Sequence, residues 1–203
     1  MYLIAISSFL HILSFYKNKS KSVIVFKILS TTLLFILSIY INQDFNFYHK
    51  TIAIGLFFSW FGDVFLLFPE KFFIQGLVSF LLAHIAYIIA FKSNLAIVSY
   101  FYLIPFIIYG FLMFSLLKKN LGELKVPVII YISFIMLMVF LALNKWLLIK
   151  DINSLYGLTG AFLFMISDSI LAIDKFFKKF FLAEFLLLTT YYIAQVLIIF
   201  SIK

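Results

Sequence analysis

The sequence contains no cysteine and no arginine, and only 12% of its 203 residues are charged. The absence of cysteine excludes disulfide bonds, thiolate metal sites and cysteine nucleophiles. The low charged fraction excludes an ordinary water-soluble domain, in which about a quarter of the residues carry charge. What is present instead is 66% hydrophobic residues and a mean hydropathy of +1.18. We therefore expect a single integral membrane domain over residues 1–203.

Apolar runs follow one another along the whole chain. A helix needs about 17 to 25 residues to cross a bilayer, and most of the runs have this length. The runs do not alternate and are longer than the strands of membrane β-barrels, which have about 9 to 11 residues. The sequence therefore predicts an all-α, polytopic bundle of eight transmembrane helices: Tyr2 to Tyr16, Val23 to Ile41, Ile52 to Phe68, Phe72 to Phe91, Ile97 to Leu117, Val126 to Leu143, Ser154 to Ile173 and Phe181 to Phe200.

The net charge of +8 comes from sixteen lysines and eight carboxylates. The lysines flank the apolar runs, a pattern typical of anchors at lipid headgroups rather than of a surface that binds nucleic acid. Ten lysines lie in the loops after spans one, three, five and seven, five lie on the opposite face, and Lys27 lies inside span two. The positive-inside rule thus predicts cytoplasmic loops on the lysine-rich face and extracytoplasmic termini, in a bacterial inner membrane.

A short motif recurs at an offset of about half the chain. Residues 62–67 (GDVFLL) in span three correspond to residues 167–172 (SDSILA) in span seven, and the same offset places Tyr87 on Tyr192. An offset of four spans predicts two four-helix repeats in the same orientation, related by an axis along the membrane normal. The alternative is a chance similarity between phenylalanine-rich helices.

Three carboxyl residues lie inside the predicted spans, and one of them, Glu184, is close enough to the start of span eight to be exposed at the surface. Ionisable residues there cost about 2.5 to 3.5 kcal/mol on insertion scales, so each indicates a possible functional site. Asp63 and Asp168 lie at matching depths, roughly 7 to 8 Å from the lysine-rich end, and Lys27 and Tyr131 fall in the same layer. Two adjacent carboxyl groups would share a proton, which supplies an acid and a base together. Helix contacts by the aspartates, and a Lys27 side chain that reaches the surface, are the alternatives.

Further polar residues share faces of spans four and eight. His84 and Tyr87 lie on one face of span four, and Tyr191 and Gln195 are four residues apart in span eight. They could shape a cavity or only pack between helices. A histidine zinc site is not expected, because it needs three or four suitably spaced ligands, although carboxylates could bind a cation. No phosphate-binding loop, nucleophile elbow or zinc-protease motif is present, and no cofactor is expected.

Four stretches together resemble the YhhN family of membrane proteins, namely residues 62–63 (GD), 76–87 (GLVSFLLAHIAY), 160–169 (GAFLFMISDS) and 191–195 (YYIAQ). The family includes the lysoplasmalogenases. The resemblance implies an eight-helix enzyme that hydrolyses the vinyl ether bond of a lysophospholipid in the membrane, giving a fatty aldehyde and a glycerophospho-base. It also implies that Asp63 and Asp168 are the catalytic pair, one as the proton donor and the other as the water-activating base, in either order. Substrate-binding roles are implied for Lys27, His84, Tyr87, Tyr131, Tyr191 and Gln195.

Three other functions are compatible with the same residues. A transporter or flippase of small amphiphiles could relay protons through an intramembrane aspartate pair. A membrane amidase or esterase could bind a metal through its carboxylates, and would then depend on that metal. A membrane scaffold without enzymatic activity would leave the two matched aspartates unexplained.

Overall fold

The chain folds into eight α-helices in a computed structural model that describes residues 2–16, 20–41 and 44–202. Short 3-10 turns at Tyr100–Tyr102 and Gly122–Leu124 precede the fifth and sixth helices. The helices are α1 (Tyr2–Tyr16), α2 (Ser20–Tyr40), α3 (Phe47–Phe65), α4 (Pro69–Lys92), α5 (Leu103–Leu117), α6 (Lys125–Ile149), α7 (Ile152–Phe176) and α8 (Ala183–Phe200).

The prediction of an all-helical membrane protein is confirmed, but only six of the eight helices are long and apolar enough to cross a membrane. The exceptions are α1, which has only 15 residues, and α3. The polar residues His49, Lys50 and Asp63 lower the hydropathy of α3. The prediction of eight crossings therefore holds fully for α2 and for α4 to α8.

Several helix ends differ from those predicted from hydropathy. Helix α3 begins five residues before the predicted Ile52, because Asn46 accepts a hydrogen bond of 2.9 Å from the backbone N–H of His49 and caps the helix. It ends at Phe65, and Pro69 starts α4. A polar cap at Asn46 sets the start of α3, and a proline at the first position sets the start of α4. A search for apolar runs detects neither signal.

The turn between α6 and α7 is tight. Lys150 adopts a left-handed conformation with φ of 57° and ends α6. Asp151 then caps α7 by accepting a hydrogen bond of 2.7 Å from the backbone N–H of Ser154. Ser154, through its side chain and its backbone N–H, lowers the pKa of Asp151 from its ordinary value. Helix α6 therefore ends at Ile149 instead of the predicted Leu143, and α7 begins at Ile152 instead of the predicted Ser154.

The helices form a ring with one helix outside it. Consecutive helices from α1 to α4 pack side by side, α4 packs on α6, and α6, α7 and α8 continue the ring. Helix α8 closes it through contacts with α1, α2 and α3, while α5 lies outside against α6 and touches α7. The two most extensive contacts, α3 with α4 and α7 with α8, occupy equivalent positions in the two halves. The parallel repeat itself stays a prediction.

Two glycines allow α3 and α4 to approach closely. A Cβ atom at Gly55 would lie 2.3 Å from the ring of Tyr87, and one at Gly62 would lie 2.6 Å from the ring of Phe80. Both rings therefore lie against the backbone of α3. This contact holds Tyr87, which is fully buried, in the middle of the bundle.

The two aspartates lie toward the lysine-rich end of the bundle. Asp63 is two residues before the end of α3 at Phe65, and Asp168 is eight residues before the end of α7 at Phe176. The predicted equal depth of the two aspartates assumed that these helices end at Phe68 and Ile173, whereas in the structure they end at Phe65 and Phe176. The lysine-rich end includes Lys71, Lys118, Lys119, Lys125, Lys175, Lys178 and Lys179. Lys17, Lys19 and Lys203, which also entered the predicted orientation, lie outside the described residues.

Candidate active site

Asp63 is buried on α3 and contacts two other helices. Its Oδ2 atom accepts a hydrogen bond of 2.5 Å from the hydroxyl of Tyr191 on α8. Its Oδ1 atom lies 3.5 Å from the Nζ atom of Lys27 on α2. The exposed fractions of Asp63 and Lys27 are 4% and 9%. A lysine placed this deep can neutralise a carboxylate, and the Lys27 ammonium therefore pairs with Asp63 instead of reaching the surface.

Asp168 on α7 has a different set of partners. The hydroxyl of Tyr131 on α6 donates a hydrogen bond of 2.6 Å to its Oδ2 atom. The Nε2 atom of His84 on α4 lies 3.6 Å from the same oxygen, slightly beyond hydrogen-bonding distance. His84 is fully buried, and neither of its ring nitrogens has a hydrogen-bond partner among the described residues. A buried histidine without partners is unusual in proteins, and it often indicates a water site or a chemical role.

The two carboxyl sites are built in the same way from the two halves of the chain. Each aspartate is contacted by the second helix of its own half, through Lys27 on α2 or Tyr131 on α6. Each is also contacted by the last helix of the other half, through Tyr191 on α8 for Asp63 and through His84 on α4 for Asp168. Each site therefore needs residues from both halves.

Aromatic rings connect the two sites. The ring centroid of Phe164 lies 4.9 Å from that of His84 and 5.5 Å from that of Tyr191. The carboxyl groups thus belong to one buried region, in which each has its own hydrogen-bonding partners.

A polar contact in this region joins α4 to α8. The hydroxyl of Tyr87 donates a hydrogen bond of 3.0 Å to the Oε1 atom of Gln195. The hydroxyl of Ser59 lies 3.4 Å from the same Tyr87 hydroxyl. All eight residues singled out from the sequence are therefore close together around the two aspartates. Among the described residues, no three histidine, aspartate or glutamate side chains converge on a point where a metal ion could bind.

The comparison with protein families decides the classification, because the model of the YhhN family matches residues 22–202. The chain belongs to the YhhN family. This match covers the whole buried region, from Lys27 on α2 to Gln195 on α8, and it confirms the resemblance predicted from the sequence.

Relatives in the YhhN family include a protein with a named activity. Lysoplasmalogenase TMEM86A of Bos taurus is 32% identical over 162 residues, which make up 74% of this chain and 64% of the bovine protein. Membrane protein YhhN of Escherichia coli O157:H7, and the same protein of Shigella flexneri, are 27% identical over 167 residues, 81% of this chain and 79% of theirs. The match thus spans just under two thirds of the bovine protein. No solved structure matches the chain.

A cavity lies beside Asp168 in this YhhN protein. Asp168 and Tyr131 form part of its wall, and apolar side chains of α4 to α7, including Met113 and Ile132, form most of the remainder. Its volume is about 50 Å³, which exceeds the roughly 10 to 15 Å³ that a single water molecule needs. Asp63 is not on this wall. The cavity therefore lies beside one of the two aspartates and has room for a water molecule.

Sequence analysis missed several residues at this cavity. The hydroxyl of Tyr109 on α5 lies 2.9 Å from that of Ser169, the residue after Asp168. Phe164, which lies outside the cavity wall but contacts the rings of His84 and Tyr191, was not assigned a role from the sequence either. The available signals were a tyrosine in the middle of an apolar span and a serine next to the intramembrane aspartate.

Proposed function

We propose that this protein is a hydrolase that cleaves the vinyl ether bond of lysoplasmalogens in the membrane, releasing a fatty aldehyde and a glycerophospho-base. The observation that supports this most directly is a largely buried carboxyl group, Asp168, on the wall of a small cavity that has room for water. The bovine relative named as a lysoplasmalogenase supports the choice of substrate.

Vinyl ether hydrolysis needs a positioned acid and a water molecule. A carboxylic acid protonates the alkenyl carbon that is not bonded to oxygen, and the other carbon becomes part of an oxocarbenium ion. Water adds to that ion and loses a proton to a carboxylate, and the hemiacetal then breaks its carbon–oxygen bond to give the aldehyde and the alcohol. General acid catalysis of this kind contributes typically about 10² to 10⁴ in rate.

We assign the proton donor to Asp168. Its contacts with Tyr131 and His84 both involve Oδ2, which leaves Oδ1 to carry the proton toward the substrate. After protonation of the alkenyl carbon, the Asp168 carboxylate can recover a proton from the attacking water. His84 lies beside Oδ2 and can orient that water through its unpaired nitrogens.

Asp63 has the complementary role in this proposal. Lys27 favours the ionised form of Asp63, because an adjacent ammonium stabilises a carboxylate in a region of low dielectric constant. The negative charge of Asp63 then stabilises the oxocarbenium ion and helps to accept the proton of the attacking water. Tyr191 orients Asp63, and the Tyr87–Gln195 hydrogen bond holds α4 and α8 around both sites.

We propose further that all eight helices lie in the bilayer, including the short α1 and the more polar α3. Their polar residues face other helices: His11 accepts or donates a hydrogen bond of 2.8 Å with Tyr192, and Lys27 contacts Asp63. The distribution of lysines favours a cytoplasmic position for the end that carries the aspartates, in a bacterial inner membrane.

The test is to offer the purified protein a lysoplasmalogen and an ester lysophospholipid side by side, and to measure aldehyde and fatty acid separately. We expect aldehyde from the vinyl ether substrate and no fatty acid from the ester. Asp168→Asn should lower aldehyde release at least about 100-fold, because it removes the acid. Asp63→Asn should also lower it, and Glu70→Gln, the same acid-to-amide change at an exposed residue, serves as a control that leaves activity unchanged.

Other outcomes would favour the other functions. Fatty acid release that a chelator abolishes would indicate a metal-dependent esterase. Movement of a labelled lysolipid across proteoliposomes, without cleavage, would indicate a flippase. Full activity of Asp168→Asn would reject the assignment of the proton donor.

A further inference from the structure

We propose that Tyr109, oriented by Ser169, accepts a hydrogen bond from the free glycerol hydroxyl of the substrate and so selects a lysolipid over a lipid with two chains. This inference deepens the proposed function and rests on it for the identity of the substrate. Tyr109 is on α5 and Ser169 is on α7, and both lie on the wall of the cavity beside Asp168. The mechanism described above uses neither of them.

The wall of this cavity is apolar except at four residues. The four are Tyr109, Tyr131, Asp168 and Ser169. Ser169 directly follows Asp168, so the Cα atoms of these two residues are about 3.8 Å apart. The cavity volume of about 50 Å³ is larger than one water molecule needs, which is roughly 10 to 15 Å³. A small polar group bound at Tyr109 is therefore a near neighbour of a group bound at Asp168.

The hydroxyl protons on this wall are already used in hydrogen bonds. The Ser169 hydroxyl donates a hydrogen bond of 2.7 Å to the carbonyl of Met165. Because a serine hydroxyl has a single proton, the contact of 2.9 Å between Tyr109 and Ser169 uses the proton of Tyr109. Tyr131 donates its own proton to Asp168. The oxygen of Tyr109 thus offers lone pairs alone, and a ligand group there must donate the hydrogen bond.

A free glycerol hydroxyl supplies this donor. In a lysoplasmalogen the hydroxyl is on the carbon next to the one that carries the vinyl ether, so three bonds separate the two oxygens, a span of roughly 3.6 Å at most. The hydroxyl can therefore donate to Tyr109 while the vinyl ether lies at Asp168.

A diacyl bilayer lipid does not satisfy the same site. Its glycerol carries a second ester in place of the hydroxyl, and an ester group only accepts hydrogen bonds. The ester would face the lone pairs of Tyr109 and leave them without a donor, which disfavours binding. The direction of the hydrogen bonds therefore distinguishes the lysolipid from the lipid that surrounds the protein.

The first experiment removes the hydrogen bond from the substrate and from the protein in turn. The substrates are a lysoplasmalogen and its deoxy analogue, in which hydrogen replaces the free hydroxyl. We expect wild-type kcat/KM to be about three- to tenfold lower for the analogue, because one hydrogen bond between neutral groups is lost. In Tyr109→Phe this ratio should fall toward one. Tyr102→Phe, at an exposed tyrosine before α5, should keep the wild-type ratio.

A second variant tests the direction of the hydrogen bond. Ser169→Ala releases the proton of Tyr109, so that its hydroxyl can donate as well as accept. The matching substrate is the methyl ether of the glycerol hydroxyl, which can only accept. Relative to the lysoplasmalogen, we expect Ser169→Ala to use this methyl ether several times better than the wild type does. A loss of packing alone would not produce that change in preference.

A binding measurement separates this inference from the proposed function. The probe is a lysophospholipid with a saturated alkyl ether, which cannot be hydrolysed by this route, compared with its deoxy form on the purified protein in detergent. If the wild type prefers the hydroxyl form, Tyr109→Phe loses that preference and no aldehyde is ever released, the proposed function fails and the hydroxyl site stands. An unchanged preference in Tyr109→Phe would overturn the site. An equal loss of kcat/KM with both substrates in that variant would also overturn it, and would indicate that Tyr109 binds water instead.

Discussion

At the scale of single residues, the Lys27–Asp63 pair is the most costly feature of the molecule. Both side chains are almost completely buried, and the distance between Nζ and Oδ1 is 3.5 Å. Removal of charge from only one member of such a pair leaves the other unpaired in a region of low dielectric constant. The two residues should therefore depend on each other for stability.

A double-mutant experiment tests this dependence. We expect Lys27→Met to destabilise the protein by about 3 to 5 kcal/mol, since it strands the Asp63 carboxylate. The double variant Lys27→Met/Asp63→Asn should recover much of that loss, because neither charge is then present. Thermal unfolding in detergent measures both, and a double variant no more stable than Lys27→Met alone would contradict the pairing.

The hydrogen bond from Tyr131 to Asp168 belongs to the same scale. We expect Tyr131→Phe to lower aldehyde release by about 10- to 100-fold, since it removes a bond of 2.6 Å that fixes the carboxyl group, and a hydrogen bond to a charged or ionisable partner contributes about 1.5 to 3 kcal/mol. Tyr100→Phe, at an exposed tyrosine, is the matched control. An unchanged kcat in Tyr131→Phe would show that Tyr131 has no role in catalysis.

At the scale of helices, the contact between α3 and α4 determines where Tyr87 lies. We expect Gly55→Val to destabilise the protein by about 1 to 3 kcal/mol, because the new side chain overlaps the Tyr87 ring and forces the helices apart. Ile54→Val, at a neighbouring residue on the exposed side of α3, should change little. Thermal unfolding compares the two, and equal midpoints would show that the contact is loose.

The cap of α7 is a second feature of this scale. Asp151→Ala should cost about 0.5 to 2 kcal/mol of stability at neutral pH, whereas Asp151→Asn should preserve the cap. Because the pKa of Asp151 is lowered in the folded state, its charge contributes stability above the ordinary pKa of aspartate, about 3.9. That contribution is lost as the pH falls through the folded-state pKa. Unfolding curves of the wild type and Asp151→Asn should therefore converge at the acid end.

At the scale of the whole molecule, the direction of insertion follows from the lysines. The natural sequence has no cysteine, so a single introduced thiol can be labelled without background. We expect Lys119→Cys to be protected from a membrane-impermeant maleimide in intact cells, because it lies at the cytoplasmic end, and Lys150→Cys to react. The opposite labelling pattern would show that the protein has the inverse orientation in the membrane.

The sequence alone predicted most of this fold because its main physical signal is the length of apolar runs. It predicted eight helices and a common layer that contains Lys27, Asp63, Tyr131 and Asp168. It did not predict the early start of α3, since His49 and Lys50 interrupt the apolar pattern and a cap at Asn46 sets the boundary. Nor could it assign Lys27 to one aspartate and Tyr131 to the other, because such partners depend on how each helix is rotated in the bundle.

The exchange of contacts between the two halves has a consequence for biosynthesis. Asp63 enters the membrane long before Tyr191, which is 128 residues later in the chain, has been translated. During that interval Lys27 is the partner already present, so the ribosome-bound intermediate carries an incompletely solvated acid that only the arrival of the last helix can accommodate. Completion of the Asp63 site is thus postponed until α8 has been synthesised.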